Sequence, residues 1–226
     1  MKRLIVHVEG QTEESFVNEV LRDYLVEKGY HSVEARIVGN ARLRRRRGGI
    51  RPWPSVRTDI VNHLLQDPGC IATTIIDYYG LPDDWPGKAL AGTFGTAADK
   101  ARRVEDAIGR DVGMVIGDRN PSRFVPFVVM HEFEGLLFSD CAAFSRAVNQ
   151  PQLLQALREI RYEFATPEDI NDSPETAPSK RLQALVPGYQ KPLFGVLAIL
   201  EMGLAPIRAE CPHFDRWLLT LESLVD

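Results

Sequence analysis

Glu9, Asp77, Glu132 and Glu134 are the residues whose type and placement could do chemistry, because each follows a segment that reads as a β-strand. In open α/β sheets the working groups gather beyond the carboxyl ends of the strands. Carboxylates brought together there repel, resist ionisation, and become compatible when a divalent cation neutralises them. Magnesium prefers oxygen ligands and keeps several waters, so two or three acids suffice to hold it. A cation held in this way polarises a phosphoryl oxygen and activates water, which is the basis of metal-assisted phosphodiester cleavage. Each acid taken singly has a plainer explanation. Asp77 precedes Tyr78-Tyr79-Gly80 and suits a turn, while Glu13 and Glu14 suit the first turn of a helix, where the dipole favours acids. Glu9 and Asp77 together, each directly after a strand, point to a shared site.

The basic residues are as uneven as the acids. Arg42, Arg44, Arg45, Arg46, Arg47 and Arg51 crowd one short stretch, with Arg57 beyond it. Gly48-Gly49 and Pro52-Trp53-Pro54 interrupt regular structure, so the stretch is expected to be an exposed loop. Arginine forks match phosphate oxygens, and Trp53 is a candidate to stack on an unpaired base. The competing explanation is a solvated loop or a docking surface for an acidic protein. Lys180 and Lys191 each stand at the start of an expected helix, where a lysine can neutralise charge on a phosphate. Lys180 ranks above Lys191, and ordinary surface lysines are the commoner case. His131 adjoins Glu132 as a candidate base or ligand, but no second histidine lies at ligand spacing. The sequence contains no HExxH, no phosphate-binding GxxxxGK[ST] loop and no GxSxG elbow.

The elements that must position these groups alternate in the first half of the chain. Strands are expected over 3–8, 32–38, 71–76 and 124–130, the last interrupted by Pro126 and therefore near an edge. The continuous run Ile71-Ala72-Thr73-Thr74-Ile75-Ile76 suits a central strand covered on both faces. Helices are expected from Thr12, as N-cap, to Gly29, then over 54–65 and 97–108. After Phe138 strand signals vanish, and helices are expected over 153–160, 179–186, 192–202 and 213–224, with a surface loop at 166–178. The expected architecture is α/β: a mostly parallel sheet flanked by helices over 1–140, with a helical C-terminal part over 141–226 packed on it.

Composition sets the outer limits. The chain has 226 residues, 44% hydrophobic and 26% charged, enough to bury a core. A net charge of −4 excludes a uniformly basic nucleic-acid coat protein but leaves room for a local basic patch. No apolar run approaches the ~18 residues of a membrane span. The first strand meets an acid too early for a signal peptide. Cys70, Cys141 and Cys211 are odd in number and widely spaced, which argues against a disulfide framework or a structural zinc site and fits a reducing cytoplasm.

Val8-Glu9-Gly10-Gln11-Thr12-Glu13 resembles the opening acidic motif of Toprim domains, especially that of the overcoming-lysogenization-defect (OLD) nucleases. In Toprim proteins a glutamate after the first strand and a DxD motif after a later one bind magnesium. Glu9 matches the glutamate and Asp77 the first aspartate; Tyr79 stands where the second would be. Asp77-Tyr78-Tyr79-Gly80-Leu81-Pro82, His131-Glu132-Phe133-Glu134, Ala177-Pro178-Ser179-Lys180-Arg181 and Cys211-Pro212-His213-Phe214-Asp215 resemble, in order, a Toprim-like bacterial family labelled domain of unknown function 4276. The resemblance implies a Toprim-like fold and a nuclease dependent on Mg2+ or Mn2+. Glu9 and Asp77 would be the metal ligands, with Asp83, Asp84, Glu132 or Glu134 supplying the acid missing at Tyr79 and Glu134 taken as the third ligand, while Lys180 would stabilise phosphate charge. It also implies nucleic acid as partner, DNA ahead of RNA, and a partner ATPase in mobile or defence loci. The alternative is a non-catalytic Toprim-like subunit that binds nucleic acid or an ATPase. A third reading is a phosphatase or phosphotransferase acting on a small phosphorylated substrate with the same acids.

Overall fold

The computed structural model describes residues 1–38, 50–91, 95–117, 120–171 and 175–225. The first half contains β1 (Arg3–Val8), α1 (Gln11–Phe16), a π-helical turn (Val17–Leu21), α2 (Arg22–Glu27), β2 (Ser32–Ile37), α3 (Trp53–Gln66) and β3 (Cys70–Asp77). It continues with α4 (Lys88–Ala91), α5 (Ala97–Ile116), β4 (Phe124–Val125) and β5 (Val128–Val129). A 3-10 helix (Phe133–Asp140) leads into α6 (Cys141–Ala147), α7 (Leu154–Tyr162), α8 (Pro178–Leu185), α9 (Lys191–Met202), α10 (Leu204–Glu210) and α11 (Pro212–Ser223).

All strand pairings in the sheet are parallel, in the order β2-β1-β3-β4, with β5 also paired to β3. The chain therefore winds from β1 outward to β2 in one direction and from β3 to β4 in the other, so the order reverses between β1 and β3. Pro126 splits the expected strand at 124–130 into β4 and β5, because it cannot donate to the ladder. The Thr74 hydroxyl fills the gap, accepting from the amide of Phe127 (2.9 Å) and donating to its carbonyl (2.9 Å). This strand lies at the sheet edge, as the proline implied.

Residue parity divides β3 between two hydrophobic cores. Ile71 and Ile75 face a core that includes Leu4, Val6 and Val8 of β1, Phe16, Leu21 and Leu25 of the first helical segment, and Phe214, Trp217 and Leu221 of α11. Trp217 stacks on Phe127 at 4.6 Å, and its indole donates to Thr73 Oγ1 (2.8 Å). Ala72 and Ile76 face the other core, with Val56, Ile60 and Leu64 of α3 and Val104, Ile108, Val112 and Ile116 of α5. That last series explains why α5 runs past the expected end at residue 108. The buried stripe continues every four residues, and its packing outweighs the helix-weakening glycines Gly109 and Gly113.

Two local expectations are corrected. Gly10, in an extended conformation, is the N-cap of α1, and Thr12 lies inside the helix, packed against α9. The stretch at 166–178 is more than a surface loop. It contains a 3-10 turn (Pro167–Asp169), and the Glu168 carboxylate accepts from the amides of His213 and Phe214 at the start of α11 (2.8 and 2.9 Å).

Candidate functional site

Glu9 immediately follows β1 and Asp77 is the last residue of β3, past the end of the β1–β3 pairing, on either side of the point where strand order reverses. That crevice is where α/β sheets of this kind bind ligands. The amide of Glu9 donates to the carbonyl of Ile75 (3.3 Å), and the amide of Asp77 donates to Glu9 Oε2 (3.3 Å). Gly80 makes room for this carboxylate: a Cβ there would lie 2.9 Å from both Glu9 oxygens. Asp77 Oδ1 in turn accepts from the amide of Phe133 (2.9 Å), which ties the end of β3 to the loop leaving β5.

Three further acids and a lysine complete the group. Glu13 is buried in the first turn of α1, where its carboxylate accepts from the amide of Gly10 (3.0 Å). Glu134 is buried in the 3-10 helix, and Lys191 Nζ donates to its Oε2 (3.1 Å). Lys191 also donates to Glu132 Oε1 (3.4 Å), and the amide of Ser179 donates to Glu132 Oε2 (2.9 Å). Glu132 thus joins the starts of α8 and α9. Close approach of α9 to α1 brings Lys191 into place, since a Cβ on Gly195 would lie 3.2 Å from Thr12 Cγ2.

The charge balance is lopsided. Burial pushes the Glu9 carboxyl above its ordinary range; the neighbouring Glu134 and Glu132 add to this, while the Asp77 amide and Lys191 oppose it. Burial also raises Asp77 well above the usual carboxylate value, reinforced by Glu9, Glu13 and Glu134. Glu13 is pushed up to about 7, chiefly by burial and then by Glu9 and Glu134. Glu134 is raised by burial, which outweighs the pull of Lys191. Glu132 differs: burial would raise it, but the Ser179 hydrogen bonds and Lys191 together hold it below its ordinary value. Burial would lower the Lys191 ammonium, but Glu134, Glu132 and Asp77 raise it instead.

This donor set is all oxygen and short of positive charge, which suits a hard divalent cation. Among the described residues no three His, Cys, Asp or Glu side chains form a ready-made metal cage. An ion that binds through one or two carboxylates and keeps its waters fits that arrangement. The Tyr189 hydroxyl is buried and has no hydrogen-bond partner among the described residues. Burial, with the charges of Glu134 and Glu132, raises its phenol. An unpartnered buried donor costs roughly 1–3 kcal/mol.

The structure brings Glu9, Asp77, Glu132 and Glu134 together and reverses the order of the two lysines. Lys180 is exposed and donates to Gln183 (3.4 Å), one turn along its own helix, whereas Lys191 lies against the acids. Glu13 and Lys191 are the members the sequence undervalued. Glu13 reads as a helix-start acid; its spacing of four from Glu9 across a glycine was the available signal.

The expected nucleic-acid surface changes more. Arg42, Arg44, Arg45, Arg46 and Arg47 lie outside the described residues. Arg51 is committed to the fold, donating to the carbonyl of Val38 (2.8 Å), to Ser55 Oγ (3.0 Å) and to Asp59. Trp53 is not available for stacking, being 4% exposed, with its ring 4.8 Å from that of Trp85 and its indole donating to Asp111 (2.7 Å). Its place at the start of α3 turns it into the second core.

The model of a family described as a domain of unknown function (DUF4276) matches residues 8–222. The C-terminal region of the Burkholderia pseudomallei OLD protein superposes with a TM-score of 0.50 and 17% identity, covering 99% of this chain and 98% of that one. The C-terminal region of the Xanthomonas campestris pv. campestris OLD protein superposes with a TM-score of 0.39 and 16% identity, covering 97% of each. No curated protein matches the sequence. The Burkholderia likeness agrees with a Toprim-like α/β fold. Among the described residues no single helix is long and apolar enough to cross a membrane.

Proposed function

We propose that this chain, which belongs to the family described as a domain of unknown function (DUF4276), is a Toprim-type nuclease that hydrolyses phosphodiester bonds with Mg2+ or Mn2+. The observation that carries this reading is the position of Glu9 and Asp77, tied to each other across the reversal point of a parallel sheet. Glu9 and Asp77 would hold the cation, and Glu134, the third ligand that the motif resemblance implies, lies among the same acids with Lys191 on its carboxylate. A bound cation supplies polarisation of the phosphoryl oxygen and a more acidic water. The burial that raises these carboxyls also keeps the site poor in water, which strengthens their attraction for a divalent charge. Glu13 adds negative potential from behind. Lys191 is the group suited to meet a phosphate, because its ammonium stays charged and partly exposed at the edge of the cluster. Glu132 holds Lys191 and the start of α8 in position. DNA as substrate, a partner ATPase, and a role in mobile-element or phage-defence systems are supported by the motif resemblance.

A second reading has its own observation. Tyr79 stands where Toprim proteins carry another acid, and no closed three-acid cage exists among the described residues. Both favour a nucleic-acid- or ATPase-binding subunit without catalysis.

Asp77→Asn separates the two readings, since the amide oxygen can still accept from Phe133. Cleavage of single- and double-stranded DNA is measured with Mg2+ and Mn2+. Loss of cleavage in a variant that stays folded supports the nuclease; cutting at the wild-type rate contradicts it. A wild type that binds the cation and DNA yet cuts neither substrate favours the second reading.

A further inference from the structure

The geometry points to a nucleobase-stacking subsite formed by Tyr79 and His131 at the edge of the carboxylate cluster, whose ligand is an unpaired base of a single-stranded nucleic acid. The inference deepens the nuclease reading and rests on it for the chemistry next door.

Tyr79 takes the place of an acid but is not lost to the core. It is 40% exposed, and its ring lies 5.2 Å from that of His131, tilted by 40°. The backbone fixes the partner ring. His131 adopts a left-handed conformation with φ 71°, which a non-glycine residue holds only where its surroundings enforce it. The second neighbour is Tyr78, 6.1 Å from Tyr79. Lys88 fixes Tyr78 in turn, with Nζ 3.6 Å from the ring centroid and a hydrogen bond of 2.6 Å to the Tyr78 carbonyl. The exposed ring is therefore backed by ordered groups before any ligand arrives, which lowers the entropy cost of using it.

Its position singles it out. Tyr79 lies between Asp77 and Gly80, the glycine against which the Glu9 carboxylate rests. Among the described residues, Tyr162 is the other large exposed aromatic, and it is on α7. Trp53 is in the core. A base on Tyr79 would thus place its flanking phosphates next to the acids. Every base has a π-face, so such a contact is tolerant of sequence, but in a duplex the neighbouring pairs cover both faces. The subsite accordingly selects strands, overhangs or frayed ends with an unpaired base.

The test uses a short single-stranded oligodeoxynucleotide with 2-aminopurine at successive positions, titrated with the full chain in Ca2+. Saturable quenching is expected with wild type and with Tyr79→Phe. Tyr79→Ala is expected to weaken binding roughly five- to a hundredfold, and an abasic site in place of the stacked base to weaken wild type as much. Equal binding by Tyr79→Ala, equal binding of the abasic strand, or no single-strand binding by wild type each overturns the subsite. The abasic comparison uses unmodified protein and is independent of how the variant folds. Cleavage by wild type and Asp77→Asn is read in parallel. Tyr79-dependent binding without Asp77-dependent cleavage sustains the subsite and contradicts the nuclease. Asp77-dependent cleavage with Tyr79→Ala binding at wild-type strength does the reverse.

Discussion

The amide of Asp77 donates to the carboxylate of Glu9 over 3.3 Å, and this bond joins the ends of the two strands between which the sheet reverses its winding. The two acids come from positions 68 residues apart, yet parallel register leaves them side by side. Lys191 and the buried Glu13 and Glu134 are then added by helices that pack on one face of that sheet.

Gly80 is predicted to be as necessary as an acid. A Cβ at this position would lie 2.9 Å from both Glu9 oxygens, closer than van der Waals contact permits. Gly80→Ala should displace the Glu9 carboxylate and weaken Mn2+ binding by about tenfold or more, while the far-UV circular dichroism stays that of wild type. Unchanged Mn2+ affinity would show that the carboxylate does not need this close approach.

Glu13 should make stability fall as the solution becomes more alkaline. Its carboxyl is raised from 4.5 to about 7 by burial and the neighbouring acids, so the folded state holds its proton longer than the unfolded state does. The associated stability is full below pH 4.5 and is lost as pH rises through about 7. Glu13→Gln removes the penalty. Urea unfolding should show the variant gaining on wild type by up to the order of 3 kcal/mol between pH 4.5 and 8. A difference independent of pH would mean Glu13 ionises normally.

His7 should do the opposite on the far face of the sheet. It is fully buried, with Nδ1 3.2 Å from the carbonyl of Thr73 and Nε2 3.2 Å from His63 Nδ1. Burial, then the neighbouring His63, lowers it to about 4; Asp59 and Arg36 also act on it, with opposite signs. Because the folded value lies below the ordinary 6.5, its contribution is present above pH 6.5 and is lost as pH falls towards 4. Nuclear magnetic resonance titration should show His7 neutral down to about pH 4, and a midpoint near 6.5 would contradict its burial.

Trp53→Ala tests the correction to the expected nucleic-acid surface. With the ring packed on Trp85 and the indole bonded to Asp111, the substitution should cost about 3–5 kcal/mol of stability. A base-stacking Trp53 would instead lose DNA affinity with little change in unfolding midpoint.

Much of this arrangement is legible in the sequence, for identifiable reasons. Glu9 and Asp77 can be found because each ends an unmistakable β-branched run, and strand ends in α/β sheets converge whatever the strand order. Pro126 marks an interrupted strand at the sheet edge because proline cannot donate to a ladder. The choice between Lys180 and Lys191 cannot be read in this way. Both begin helices after a loop, and only the docking of α9 through Gly195 decides which ammonium meets the acids. Trp53 misleads for a related reason: proline and arginine neighbours suggest a solvent loop, but α3 begins at that residue and rotates the ring inward. Glu13 is hidden because its local role at a helix start and its place in the acidic cluster are compatible.

Calorimetric titration of wild type, Glu9→Ala and Asp77→Ala with Mn2+ and Mg2+ tests the central claim most directly. The account predicts saturable binding to wild type, accompanied by proton release from the raised carboxyls near neutral pH, and loss of at least roughly tenfold in affinity in both variants. Absence of binding to the wild type, or binding that survives both substitutions, would contradict the assignment of Glu9 and Asp77 to one cation site.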